Sequence, residues 1–418
     1  MASTLNYHNC VNGIPNYLYS RFRSGSIYLF SILERKMKTK NIIIPSLLSL
    51  LSIEAISAIS LNTGIIQDLY SELGVNKPIH ISHQGLHWRT ENSEWGAWHK
   101  NNFVDRHVKS CFDVIYNSNN IGARDIENYG PNFSSDSIIA LGDSFIEGHG
   151  LNHQDTFTSK LQKYSGKKVF NLGTGYQTGP LQYYLIYKYK SSNLPHKTIV
   201  MGFLPSNDFT DNDFESISNS GQGKLNLFKK KPRYRPYYDV NNKLDSYPII
   251  YPKDAKKRSN LARSGFHNFI ASQSIRLNTI RLYKNLKLTS YVKRLNNKPR
   301  YIGHSIEQQN AAIFYIKKTY KLAKSRGVEK FIVLGIPDYY AFQNNYRNKE
   351  SRPIAKWERD LINFSKKNKD FTFIDGFRIL KEDNKEYIHK EFFLSCDGHW
   401  SPLGAKLSAE IILESIKN

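Results

Sequence analysis

An α/β fold, with a parallel sheet covered by helices on both faces, is what this sequence predicts, and three observations predict it. Short apolar runs recur from residue 137 onward, each run stops at a turn former, and segments of helical period lie between them. Ser137 to Leu141 stops at Gly142, and Val169 to Leu172 stops at Gly173. Thr198 to Leu204 stops at Pro205, Phe331 to Ile336 at Pro337, and Phe371 to Ile374 at Asp375. Runs that are apolar throughout, rather than alternating, suit strands buried on both faces.

The intervening helices follow in order. Thr156 to Tyr164 is amphipathic, with Phe157 and Leu161 on one face, and Leu181 to Lys190 has the same period. Ser305 to Arg326 opens with the capping box Ser305-x-x-Gln308, Ile354 to Lys367 comes next, and Ser401-Pro402 starts the last helix. Folds of this kind bind ligands beyond the C-terminal ends of their strands, so the reactive residues are expected directly after the apolar runs.

Upstream, residues 63–130 are rich in Trp, His and Asn and contain short runs such as Phe112 to Tyr116. They predict a strand-and-loop lead-in in which catalysis is not expected. From about residue 215 to 300 the alternation lapses into a basic, Tyr-rich stretch that includes Lys229 to Tyr238, which predicts a cap inserted in a domain spanning 131–418. That run is expected to be a solvated cap surface before it is a grip for an anionic polymer. No internal repeat is present.

The first 40 residues are polar and basic, with Arg21, Arg23, Arg35, Lys36, Lys38 and Lys40, and 41–62 reads as a signal anchor or signal peptide. Pro45, Glu54 and five serines weaken it as a span. A buried amphipathic helix of a soluble protein is the alternative. Cations before the segment, and Asp68 and Glu72 after it, predict a cytoplasmic N-terminus with everything from about residue 65 outside. Met37 is a second candidate start, followed by its own charged Lys38-Thr39-Lys40.

A balance of 59 Lys and Arg against 36 Asp and Glu gives a net charge of +23, which favours anionic partners. Because the excess is spread over nearly every segment, a dedicated nucleic-acid function is not expected. Three cysteines without a C-x-x-C pair exclude a disulfide scaffold. Cys111 and Cys396 would be able to pair in an exported protein, but two buried thiols are the favoured reading.

Four segments carry the chemistry. Gly142-Asp143-Ser144-Phe145 follows the first run and sets a hydroxyl at a helix start; Gly173-Thr174-Gly175 follows the second. Ser206-Asn207-Asp208 follows the third, and Asp397-Gly398-His399-Trp400 precedes the last helix. A serine hydroxyl needs a base, which the imidazole of His399 suits, and Asp397 would hold the other ring nitrogen. Donors for an oxyanion are the N–H groups of Ser144 and Gly175 and the amide of Asn207. Asp143 and Asp208 are expected to hold loops rather than act as acids.

Together these segments resemble the four blocks of the SGNH (GDSL-type) hydrolase family, with Ser144, Gly175, Asn207 and His399 as the namesake residues, over about residues 130–418. Asn119 to Asp125 is similar to membrane-anchored bacterial members. The resemblance implies a flavodoxin-like sheet and ester chemistry on acylated, often acetylated, carbohydrate. It also implies a single-pass bacterial inner-membrane protein with a periplasmic catalytic domain, secreted if the anchor is cleaved. Ser206 stands where many members have glycine, and Gly175 rather than Gly173 is chosen by alignment. The Asp-x-His spacing resembles the exopolysaccharide O-acetylation branch, so an esterase and an acyltransferase are both open. A non-catalytic glycan-binding or polysaccharide-assembly protein on the same scaffold is the alternative.

No cofactor is expected. Gly173-x-Gly175-x-x-x-Gly179 has the wrong spacing for a dinucleotide loop, and His80, His83 and His87 lack a fourth ligand for zinc.

Overall fold

A computed structural model describes residues 42–59, 88–109, 111–175, 177–219, 235–240, 247–251, 304–337, 354–376, 391–394 and 397–417. The basic N-terminal segment, most of the expected cap and the three histidines at 80, 83 and 87 lie outside the described residues. The chain divides into two compact units, Met1–Thr63 and Gly64–Asn418.

Among the described residues one helix, α1 (Ile42–Ile59) in the first unit, is long and apolar enough to cross a membrane. Its serines do not defeat that. Ser46, Ser52 and Ser57 each donate a hydroxyl hydrogen bond to the carbonyl four residues back, at 2.7–2.9 Å, which satisfies those three donors within the helix.

The second unit opens with two antiparallel hairpins. β1 (Arg89–Asn92) pairs with β2 (Gly96–His99), and β3 (Val104–Lys109) pairs with β4 (Phe112–Asn117). Then comes the βα alternation: β5 (Ile138–Gly142), α2 (Ser144–Glu147), α3 (Phe157–Ser165), β6 (Val169–Gly173) and α4 (Pro180–Lys190). β7 (Thr198–Phe203), α5 (Pro205–Asp208) and α6 (Phe214–Asn219) follow. A small hairpin, β8 (Tyr237–Tyr238) and β9 (Ile249–Ile250), precedes α7 (Ile306–Ser325). β10 (Lys330–Gly335), α8 (Lys356–Lys367), β11 (Phe371–Asp375) and α9 (Pro402–Lys417) complete the chain.

β5, β6, β7, β10 and β11 form one fully parallel five-stranded sheet in the order β11-β10-β7-β5-β6. Numbered within the sheet, that is the flavodoxin-like order 2-1-3-4-5, whose switch point lies between β5 and β7. Strand alternation splits the core. Ile139, Leu141, Ile199 and Met201 face α4, α7 and α8, whereas Ile138, Ala140, Val200 and Ile332 face α3 and α9. The expected capping box forms: Ser305 Oγ accepts the Gln308 N–H (3.1 Å) and Gln308 Oε1 accepts the Ser305 N–H (3.0 Å).

Two expectations are corrected here. The end of the Lys229–Tyr238 run is not a solvated surface: Arg235, Tyr237 and Tyr238 are fully buried, and Arg235 Nη2 donates to the Asp211 carbonyl (2.9 Å). Cys111 is not a thiol but is disulfide-bonded. Its partner lies outside the described residues.

Candidate active site

The site is built where β5, β6 and β7 end. Asp143 caps α2 by accepting the Phe145 N–H (2.9 Å), which fixes Ser144 at the first helical position with its hydroxyl at the sheet edge. Gly173 lets α2 sit this close to β6. A Cβ there would lie 2.3 Å from the Glu147 backbone nitrogen and 2.6 Å from the Ile146 carbonyl carbon.

Ser144 Oγ lies 2.7 Å from His399 Nε2, across 255 residues of chain. His399 Nδ1 faces Asp397 Oδ1 in turn. A carboxylate only accepts, so Nδ1 must carry a proton; in the neutral ring Nε2 is then the acceptor for the Ser144 hydroxyl. The Asp397 side chain is 5% exposed and the His399 ring 23%, so the carboxylate is held in the protein while the base still reaches solvent. Gly398 turns the chain at φ +83°, which lets carboxylate and ring meet across a single residue. Behind them, Trp400 packs under the site, between the rings of Phe145 (5.1 Å) and Phe157 (5.9 Å).

Of the three oxyanion donors expected, the Ser144 N–H alone is left uncommitted among the described residues. The Ser144 N–H makes no hydrogen bond among the described residues. Asn207 follows β7; its amide directs one hydrogen at Asp211 Oδ2 (2.9 Å), and a hydrogen bond from the same amide stabilises the Asp143 carboxylate, which occupies both. Burial raises Asp143 to about 6 against the Phe145 N–H, His399 and Asn207, all of which act the other way. Gly175 is the correction. Its N–H donates to Glu147 Oε2 at 2.8 Å, so it is already committed to a carboxylate and is not the free donor the alignment suggested.

Asp208 does hold a loop, as expected. It is fully buried and accepts the Leu204 N–H and the Tyr183 hydroxyl, both at 2.9 Å. Burial, with Asp143 nearby, raises its carboxyl well above the usual range.

The lead-in, where no role in catalysis was expected, braces the site. Glu147, 1% exposed, receives Arg89 Nη2 at 2.8 and 3.1 Å, and His99 Nε2 lies 3.0 Å away. Burial alone would raise Glu147, but Arg89 and then His99 overcome it and hold the carboxyl well below its usual range. Arg124, from the Asn119–Asp125 segment, donates to the Glu147 carbonyl (2.9 Å) and also to the Gly148 and Leu151 carbonyls, tying down the end of α2. His149 is a second histidine beside the first: its Nε2 stands 3.5 Å from Asp397 Oδ2 and its ring 4.4 Å from that of His399. His149, Asp397 and His399 also lie close enough together to share a metal ion. The only sequence signal for Glu147 and His149 was their place just after Ser144, in Gly142-Asp143-Ser144-Phe145-Ile146-Glu147-Gly148-His149.

No family model and no curated protein matches this chain. Among solved structures, one of a G-D-S-L family protein from Desulfitobacterium hafniense DCB-2 is 11% identical, with a TM-score of 0.31 over 66% of this chain and 98% of that one. A second is 12% identical, with a TM-score of 0.31 over 68% of this chain and 97% of the other. Likeness at that level decides nothing about the site, so the chemistry rests on the geometry.

Proposed function

We propose that this chain is a serine-dependent acyl-ester enzyme acting on a short acyl group, acetyl above all, carried by a carbohydrate. The observation that supports it most is the 2.7 Å approach of Ser144 Oγ to His399 Nε2, with Asp397 behind the ring.

In this reading Ser144 Oγ attacks the ester carbonyl carbon as its proton passes to His399 Nε2. The carbonyl π pair moves onto oxygen, and the oxyanion is met by the Ser144 N–H, with the Asn207 amide able to join it only by turning a hydrogen away from Asp211 or Asp143. As the tetrahedral adduct collapses, the bond to the sugar oxygen breaks and His399 returns its proton to that oxygen. An acyl-Ser144 remains. Water or another hydroxyl, deprotonated by the same imidazole, then attacks the acyl carbon, and as that adduct collapses the bond to Ser144 Oγ breaks and His399 returns the proton to the serine. An esterase and an acyltransferase share every step but the last acceptor.

Two further facts support a site outside the cytoplasm. α1 follows a basic segment, which orients it with the N-terminus inside, and Cys111 is in a disulfide, a bond that persists in oxidising compartments.

The test is acetate release from an acetylated saccharide by the detergent-solubilised full chain. Turnover by the parent and none above background by Ser144→Ala is the expected result; equal rates would dispose of the reading. Adding an unacetylated oligosaccharide and following labelled acetyl separates transfer from hydrolysis.

A further inference from the structure

Away from Ser144, three lysines lie over aromatic rings where α4 packs beside α7. Lys190 Nζ lies 4.5 Å over the ring of Trp95, and Trp95 meets Tyr189 at 5.8 Å. Lys188 Nζ lies 4.8 Å over Tyr189, and Lys318 Nζ lies 5.0 Å over Tyr184. Lys188 and Lys318 are near enough to repel: burial first, and then the charge of Lys188, lower the ammonium of Lys318 from its usual value. Among the described residues none of the three pairs with a carboxylate. Elsewhere on the same unit lysines do find acids, as Lys168 does with Asp125 and Glu127. Like charges held together without counterions cost stability, so the arrangement calls for an anionic partner.

The surface adjoins a cleft of about 400 Å³, into which Tyr189 and Lys190 extend together with the exposed Asn101, Asn120 and Asn193. Flat rings suit the apolar face of a sugar, side-chain amides suit its hydroxyls, and ammonium groups suit a carboxylate. No arginine lines the cleft, and Arg326 beside it spends its guanidinium on the Tyr187 and Lys188 carbonyls and the Ser191 hydroxyl, whereas phosphodiesters are gripped best by the planar fork of a free arginine. α4 leaves the active edge at Pro180 and carries Lys188 to Lys190 on its last turn, roughly 12–15 Å along the helix axis.

We propose that this surface binds an acidic polysaccharide, a uronate-containing chain, at a position separate from the catalytic serine. It would hold a polymer while its acyl groups are processed, but the binding itself does not depend on the catalytic reading.

The experiment is retardation of the detergent-solubilised full chain in native gels containing polygalacturonate, or dextran as the neutral comparison. The parent should be retarded by polygalacturonate and not by dextran. Lys188→Ala/Lys190→Ala/Lys318→Ala should weaken that retardation at least fivefold. Lys366→Ala/Lys367→Ala/Lys369→Ala, on the exposed face and C-terminal end of α8, removes the same charge elsewhere and should change it less than twofold. Turnover of a small acetyl ester should be the same in all three proteins. Equal retardation of the two triple variants would overturn the proposal, as would tighter binding of a single-stranded oligonucleotide than of polygalacturonate at matched charge. Loss of ester turnover in the parent would count against Ser144 chemistry and leave the binding result standing.

Discussion

Replacing His399 by alanine is expected to lower ester turnover by about 10⁴-fold or more, with the fold intact. The ring is part-exposed and packs at the rim of the site, against Phe145 at 4.8 Å, so its loss opens little of the core. What disappears is the acceptor 2.7 Å from Ser144 Oγ, and without it the hydroxyl must attack as a neutral alcohol. Asp397→Asn should cost nearly as much by another route. An amide that donates to Nδ1 leaves the ring proton on Nε2, facing the serine, where it cannot accept one. Steady-state turnover of an acetyl ester checks both; a loss of less than tenfold in either would count against the roles assigned.

The second large effect concerns stability. Glu147→Gln is expected to destabilise the second unit by about 3–5 kcal/mol, because it leaves the buried Arg89 guanidinium, and His99 beside it, without an anion. The amide can still accept from the Gly175 N–H, so loss of the charge and not of shape is what the variant reports. Arg89→Met added to Glu147→Gln should recover part of the loss, since removal of both charges costs less than removal of one. The sign with pH follows from the depressed carboxyl. A glutamate whose folded value lies below its unfolded one, about 4.3, stabilises fully above that pH and loses the contribution only as pH falls toward the folded value. The difference between parent and Glu147→Gln in urea midpoint should therefore persist from neutral pH down to about pH 5. A midpoint unchanged by Glu147→Gln would mean that the cluster does not brace the site.

Much of the sheet was legible because buried parallel strands are continuous apolar runs with punctuation. Val169 to Leu172 and Phe371 to Ile374 each gained only their terminal residue in the structure, and Thr198–Phe203 ended one residue before the expected Leu204. That Ser144, Asp397 and His399 come together was legible for the same reason, since each follows a strand or precedes the last helix. The bracing was not. Arg89 and Glu147 are 58 residues apart, and nothing in either local pattern says that two hairpins fold back onto α2 and the loop that follows it. The use of the Gly175 N–H was hidden likewise, because its partner is a side chain on another element. Arg235, read as part of a basic surface, is buried through a carbonyl contact that composition cannot reveal.

The most direct measurement is of the nucleophile itself. The full chain, exposed briefly to a fluorophosphonate and digested, should carry a single phosphonyl adduct on the peptide containing Ser144, and the His399→Ala protein should carry none in the same time. An unmodified Ser144 in the parent, or equal labelling with and without His399, would contradict an alcohol activated by that imidazole.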